Sequence, residues 1–249
     1  MSGHSKWSKI KRGKAANDAK RGRIWSKLAK RIMVAAKDGG ANPAENLTLR
    51  YAIDDARSAN MPNDTISNAI KKGTGEIGAQ SFEHIVYEGY GPSGVAFIVE
   101  CLTDNRNRTA SEIRKIFERA GGHLGATNCV AWLFEQKGTF LVSAQITDED
   151  TLMEIALESG ADDVTSDDNG FQITCQVGAY SAVKQALADK EIETAAAEIG
   201  MVAKNTAAVA DAGTARRVLG LMEAFEDHDD VQNVFANFDI PDEIPVEAE

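Results

Sequence analysis

GTFLVSAQITDEDTLMEIALESGADDVTSDDNGFQITCQVGAYSAVKQALADKEIETAAAEIGMVAKNT, residues 138–206, reads as a complete β-α-β-β-α-β order. Thr139–Ala144 is a strand. Asp148–Glu158 is helical, with Thr147 placed to cap it and Gly160 to stop it. Asp163–Thr165 is a short strand leading into Asp168-Asn169-Gly170, whose Asn-Gly is a hairpin signal. Phe171–Val177 alternates, Ala179–Asp189 is helical, and Ile199–Lys204 closes the unit. This order is the split β-α-β, or ferredoxin-like, motif.

The chain on either side of this unit reads as one further domain cut in two. Before it, Phe82–Glu88 and Val95–Leu102 flank Gly89-Tyr90-Gly91-Pro92-Ser93-Gly94, a tight connection. The loop lacks the Lys-Ser/Thr of a phosphate-binding P-loop and opens no helix. VAFIVECL at 95–102 is nearly all apolar, as in a strand covered on both faces. A helix is expected from Thr109, with Glu112 completing a capping box, then Gly121-Gly122 and a strand at Val130–Glu135. After the unit come a helix, Thr214–Glu226, and a strand, Val231–Phe238, with no partners nearby in sequence. They complete the fold begun at 82–135. The expected fold class is therefore α/β (α+β): a helical N-terminal domain at 1–77, a discontinuous α/β domain at 78–136 and 207–240, and an inserted ferredoxin-like domain at 137–206. Residues 241–249 form an acidic, Pro-containing tail that reads as disordered.

The helical domain has its own pattern. Helices are expected over about Asn17–Asp38, Asn46–Ala59 and Pro62–Lys72. On the first, Trp25, Leu28, Ala29, Ile32, Met33 and Ala36 share one side. Lys20, Arg23, Lys27, Lys30 and Arg31 fall within an arc of about 100° on the other.

Charge separates this head from the rest. Residues 1–72 carry 16 Lys or Arg and 6 Asp or Glu, a net +10; residues 73–249 carry 11 and 32, a net −21. Eleven of the cations lie in the first 31 residues: Lys6, Lys9, Lys11, Arg12, Lys14, Lys20, Arg21, Arg23, Lys27, Lys30 and Arg31. A basic head on an acidic body is the footprint of a protein that meets a polyanion with one end. Residues 1–16 alternate small and basic residues, with only Trp7 and Ile10 as large apolar groups. That composition holds no core and suits an arm that orders on a partner. A solvated helix face and an Arg-rich transit peptide share this composition, but the basic face continues into a helix with a buried side, which favours nucleic-acid contact. On that reading the ridge is free in solution, and reversing its charge abolishes binding without lowering stability. Trp7 suits either stacking on an unpaired base or anchoring in the head.

Other chemistry is thinly represented. Arg106 and Arg108, beside an expected helix N-terminus, are candidates for a second phosphate contact, with pairing to body acids as the alternative. The stretch 162–169 lacks EF-hand spacing. Glu226-Asp227-His228-Asp229-Asp230 reads as a solvated helix end rather than a metal site, because consecutive residues rarely converge on one ion. His84 and His123 have no ligand partners at metal spacing. No nucleophile motif is present, so neither catalytic residues nor a metal or cofactor is expected. Three separated cysteines, Cys101, Cys129 and Cys175, read as buried free thiols. No apolar run approaches a membrane span, and no signal peptide is visible.

GHSKW at 3–7, KAANDAKRG at 14–22, YEGYGPSG at 87–94, DNRNRT at 104–109 and DHDDVQNVFANFDI at 227–240 resemble signature stretches of the YebC/PmpR family. The resemblance runs over residues 3–240. It implies a helical N-terminal domain and two ferredoxin-like domains, one inserted in the other. It also implies a cytoplasmic, non-enzymatic regulator. Members are described as probable transcriptional regulatory proteins that bind DNA, and a mitochondrial relative and some bacterial members are tied to translation at the ribosome. The implied partner is thus DNA, or ribosomal RNA and the ribosome, with no membrane and no small-molecule substrate. Ser93 stands where the family usually has Gly, and Asn128-Cys129 stands where it usually has Gly-Ser.

Overall fold

The computed structural model describes residues 18–78, 80–167, 170–241 and 244, with only the backbone described at 18–20 and 167. The expected arm, the Asn-Gly turn residues 168–169 and most of the acidic tail lie outside the described residues.

Among the described residues, three helices form the head: α1 (Asp18–Gly39), α2 (Leu47–Ser58) and α3 (Asn63–Gly73). Their apolar stripes meet in one core built on Leu28, Ile32, Ala36, Leu49, Ile53 and Ile66. Asn46 ties two of them together. Its side-chain oxygen accepts from Leu49 N at 3.0 Å, capping α2, while its amide donates to Ala35 O at 2.7 Å and Gly40 O at 2.9 Å. Gly73 ends α3 flat against α1, where a Cβ would lie 2.4 Å from Met33 O.

The body holds two antiparallel four-stranded sheets. The first contains β1 (Glu83–Tyr90), β2 (Ala96–Thr103), β3 (His123–Leu124) and, from far along the chain, β9 (Val231–Ala236), in the order β3-β1-β2-β9. Helices α4 (Arg106–Arg119) and α7 (Ala212–Glu226) cover one face. Phe97, Phe117 and Phe225 pack at its centre with ring centroids 4.7–6.2 Å apart. β2 and β3 both run antiparallel to β1 and so parallel to each other, with α4 as the crossover.

The second sheet contains β4 (Phe134–Ser143), β5 (Ala161–Asp167), β6 (Gly170–Gln176) and β7 (Thr194–Ala203), in the order β5-β6-β4-β7. This is the ferredoxin-like order, with α5 (Glu149–Glu158) and α6 (Tyr180–Asp189) packed on it. The ends of β4 and β7 also cover the outer face of the first sheet. There Phe134, Met201 and Ala203 meet Ala96, Ile98 and Phe235. Both faces of β2 are therefore buried, as its unbroken apolar run requires. Short strands β8 (Ala207–Ala208) and β10 (Phe238–Asp239) pair in parallel near this junction.

Local assignments differ in several places, among them the closing strand of the second sheet, expected at Ile199–Lys204, which spans Thr194–Ala203. The strands expected at 130–135 and 139–144 are one strand, β4, so the expected boundary at 136/137 falls inside it. Gly138 is no turn. It makes room for Tyr180 and Cys175, whose atoms a Cβ would meet at 2.6 and 2.8 Å. Asn105, not Thr109, caps α4 by accepting from Arg108 N. Asp148, not Thr147, caps α5 by accepting from Thr151 N. Asn237 splits the last expected strand, its side chain accepting from Ala96 N and donating to Asn205 O. Ser93 and Asn128, the departures from the family's usual glycine, both hold positive φ, 58° and 65°. Asn adopts that region at lower cost than Ser.

Candidate nucleic-acid interface

α1 offers its cations to two different surroundings. Among the described residues, the ridge of Arg23, Lys27, Lys30 and Arg31 turns toward the body rather than toward solvent. Arg23 pairs with Asp227 at 2.7 Å, with side chains 37% and 49% exposed. Lys27 Nζ donates to Glu226 O at 2.5 Å. Lys30 Nζ donates to Asp229 O at 3.0 Å and to Asp230 Oδ1 at 2.7 Å. Arg31 donates through Nε to Gln232 Oε1 and through a terminal nitrogen to Asn233 Oδ1, at 3.2 and 2.7 Å, and lies 3.8 Å from Asp55. The side chain of Lys20 is not among those described, and Arg21 is exposed.

Asp230 is the centre of this contact. Its side chain is 5% exposed and Lys30 is 16% exposed. Oδ2 accepts from Arg108 at 2.8 Å and from the Thr109 hydroxyl at 2.7 Å. Thr109 Oγ1 also lies 2.8 Å from Thr103 Oγ1. The carboxylate can only accept, so Thr109 gives it its proton and takes a proton from Thr103. Burial pushes the Asp230 carboxyl up, but hydrogen bonds from Lys30, Arg108 and Thr109 outweigh it and hold the group far below its ordinary value of 3.8. His228 completes the cluster. Asp230 N donates to its Nδ1 at 3.1 Å, which leaves the ring proton on Nε2, 2.9 Å from Glu112.

The stretch 226–230 is thus not the solvated helix end expected from composition. Its last aspartate is buried, and its backbone carbonyls receive lysines from α1. Glu112, His228 and Asp230 have ligand atoms within 4.8 Å of one another. Two cations already neutralise Asp230, which makes this group a poor trap for a third. Arg108 pairs with Asp104 and Asp230, the alternative to a phosphate contact; Arg106 remains exposed at the start of α4. Burial, with Asp230 as the next influence, pushes the Cys101 thiol up to about 12, so it stays protonated at neutral pH. Cys129 and Cys175 are also free thiols.

The head keeps cations on its outer side. Arg50, Lys71 and Lys72 are exposed on α2 and α3. Lys6, Lys9, Lys11, Arg12 and Lys14, with Trp7, lie outside the described residues. The docking role of Thr109, Asp230, Gln232 and Asn233 was not read from the sequence. Its signal was present as an acidic DHDD run matching a basic helix, but at a separation of about 200 residues.

Residues 5–76 match the family model described as the TACO1/YebC protein N-terminal domain, and residues 82–238 match the TACO1/YebC second and third domain. A probable transcriptional regulatory protein of Dictyoglomus turgidum is 52% identical over 245 residues, 98% of each chain. One of Desulfotalea psychrophila is 52% identical over 244 residues, again 98% of each chain. The crystal structure of a conserved hypothetical protein from Aquifex aeolicus superposes with a TM-score of 0.84 at 45% identity, covering 94% of this chain and 96% of that one.

Proposed function

We propose a function from one premise: the chain belongs to the TACO1/YebC family. The proposed function is non-enzymatic regulation of gene expression by nucleic-acid binding through the basic head, as a DNA-binding transcriptional regulator. The observation that carries it is the charge division, +10 against −21, with five cations and no acid in residues 1–16. A −21 body repels bulk nucleic acid and orients the head toward it.

The geometry moves the proposed contact within the head. Arg23, Lys27, Lys30 and Arg31 serve the body, so the phosphate contacts are assigned to Lys6, Lys9, Lys11, Arg12 and Lys14, extended by the exposed Arg21, Arg50, Lys71 and Lys72. Phosphate contact of this kind positions a protein without reading sequence. One observation favours RNA and the ribosome as a second reading. The ridge face of α1 is docked on the body, and a docked face is not available to enter a major groove. A basic arm suits an irregular RNA surface.

Two experiments test this. Replacing Lys6, Lys9, Lys11, Arg12 and Lys14 with Ala should flatten the salt dependence of binding, whose slope reports the number of phosphates neutralised; an unchanged slope removes the arm from the site. Sedimentation of lysate with and without RNase, beside genomic crosslinking, separates the two partners. Discrete genomic sites with no ribosomal fraction support transcription, and RNase-sensitive co-migration with ribosomes and no enriched sites supports translation.

A further inference from the structure

Trp132 is 64% exposed, and nothing in its own packing explains why a tryptophan should stand there. It sits on the 3-10 turn Ala131–Leu133 that leads into β4. The loop beneath it is tied down by its backbone. The Glu88 carboxylate, 4% exposed, accepts from the backbone N–H of Asn128, Val130 and Ala131 at 2.8–2.9 Å. Gly125 N donates to Glu88 O at 2.8 Å, and a Cβ on Gly125 would meet Cys129 Sγ at 2.4 Å. The indole Nε1–H donates to Cys129 O at 3.0 Å, which fixes the ring by its polar edge. The Tyr90 hydroxyl donates to the same carbonyl at 3.2 Å, and the His123 ring lies 5.5 Å from that of Tyr90. A large aromatic surface is thus held in a set orientation at low entropic cost.

The charge around it is unlike the rest of the body. Residues 119–134 and 199–210 contain no Asp or Glu, although residues 73–249 carry 32 of them. The two stretches meet here, since Lys204 N donates to Leu133 O at 2.8 Å. At that point stand Lys204, which is exposed, and His123, stacked near Tyr90. The acids that border them in sequence are Glu118, Glu135, Glu198 and Asp211, with Glu135 within 4.0 Å of Lys137, and Asp239 pairs in register with Ala208. A protein partner has no need of an acid-free window in an acidic surface. A polyanion does.

From this combination we propose that Trp132 is a stacking platform for an unpaired base of a single-stranded nucleic acid, with Lys204, whose backbone is bonded to the neighbouring Leu133, for a flanking phosphate. Base stacking on aromatic rings backed by cations is how single strands are held without sequence preference. The inference rests on the nucleic-acid reading above and adds a contact on the body to the one proposed for the head.

The test measures anisotropy of a labelled oligouridylate of about 15 nucleotides and of a DNA duplex with the full chain. Trp132→Ala should weaken the oligouridylate by about tenfold, Trp132→Phe by less, with the duplex and the unfolding midpoint unchanged. The five-residue arm variant should weaken both probes. If Trp132→Ala binds oligouridylate like wild type while the arm variant does not, the platform is wrong and the head reading stands. If only Trp132→Ala loses binding, the head reading falls and the platform stands. Should Trp132→Ala instead change the sedimentation of the protein alone with affinity unaltered, the ring serves self-association and the proposal is overturned. Wild type that binds neither probe overturns both.

Discussion

Asp162-Asp163 and Asp229-Asp230 are alike in sequence and differ in almost everything else. Asp162 stands on the edge strand β5, where Lys137 at 3.1 Å and Gln176 at 2.9 Å reach it through partly exposed side chains. Asp163 accepts from the neighbouring Val164 N. Asp230 lies buried between the head and the first sheet, with Lys30, Arg108 and Thr109 on its two oxygens. The first pair is a surface feature whose removal water can compensate. The second centres on Asp230, the buried polar core of a domain contact, whose carboxylate is only 5% exposed. What an acidic pair does is decided by the element that arrives opposite it.

The largest effect is expected at the buried pair. Asp230→Ala leaves Lys30 and Arg108 without their shared partner and should cost about 3–5 kcal/mol, the range for breaking a buried ion pair. Asp162→Ala should stay within about 0.5 kcal/mol. Denaturant midpoints of the two variants check the contrast, and equal losses would erase it.

The pH dependence follows from the same group. The folded Asp230 carboxyl is held below its ordinary value of 3.8. Its contribution is therefore fully present well above that value and is lost as pH falls through 3.8 toward the lower folded value. Unfolding free energy measured from pH 6 downward should fall less steeply in Asp230→Asn than in wild type, and parallel curves would show that the group is not linked to folding.

The smallest effect belongs to the rim of the contact. Arg23 and Asp227 pair in the open, so Arg23→Ala should cost no more than about 1 kcal/mol, and added salt should shrink it further. A loss as large as that of Asp230→Ala would mean that the exposed pair, not the buried one, holds the head.

The ferredoxin-like unit was legible because all its elements follow one another in the chain, and its strand order matched the expectation. The final helix and strand were assigned to the unit of residues 82–135 because they had no partners nearby in sequence, and β9 does join the first sheet; that it pairs with β2 was not read. The capping signal at Thr109 misled. Its spacing to Glu112 is that of a capping box, but its hydroxyl serves Asp230, 121 residues away. The basic arc on α1 was read correctly as geometry. Its partner was not, because the body's −21 is a sum over the chain, whereas docking depends on where a few of those charges stand.

The central claim is that the inner cations of α1 hold the head to the body while the outer cations and the arm meet nucleic acid. The variant Lys27→Ala/Lys30→Ala/Arg31→Ala tests it when its unfolding midpoint and its affinity for nucleic acid are measured side by side. The account predicts a lowered midpoint with affinity changed by less than about tenfold. An unchanged midpoint together with lost binding would contradict it and return the ridge to the role its charge first suggested.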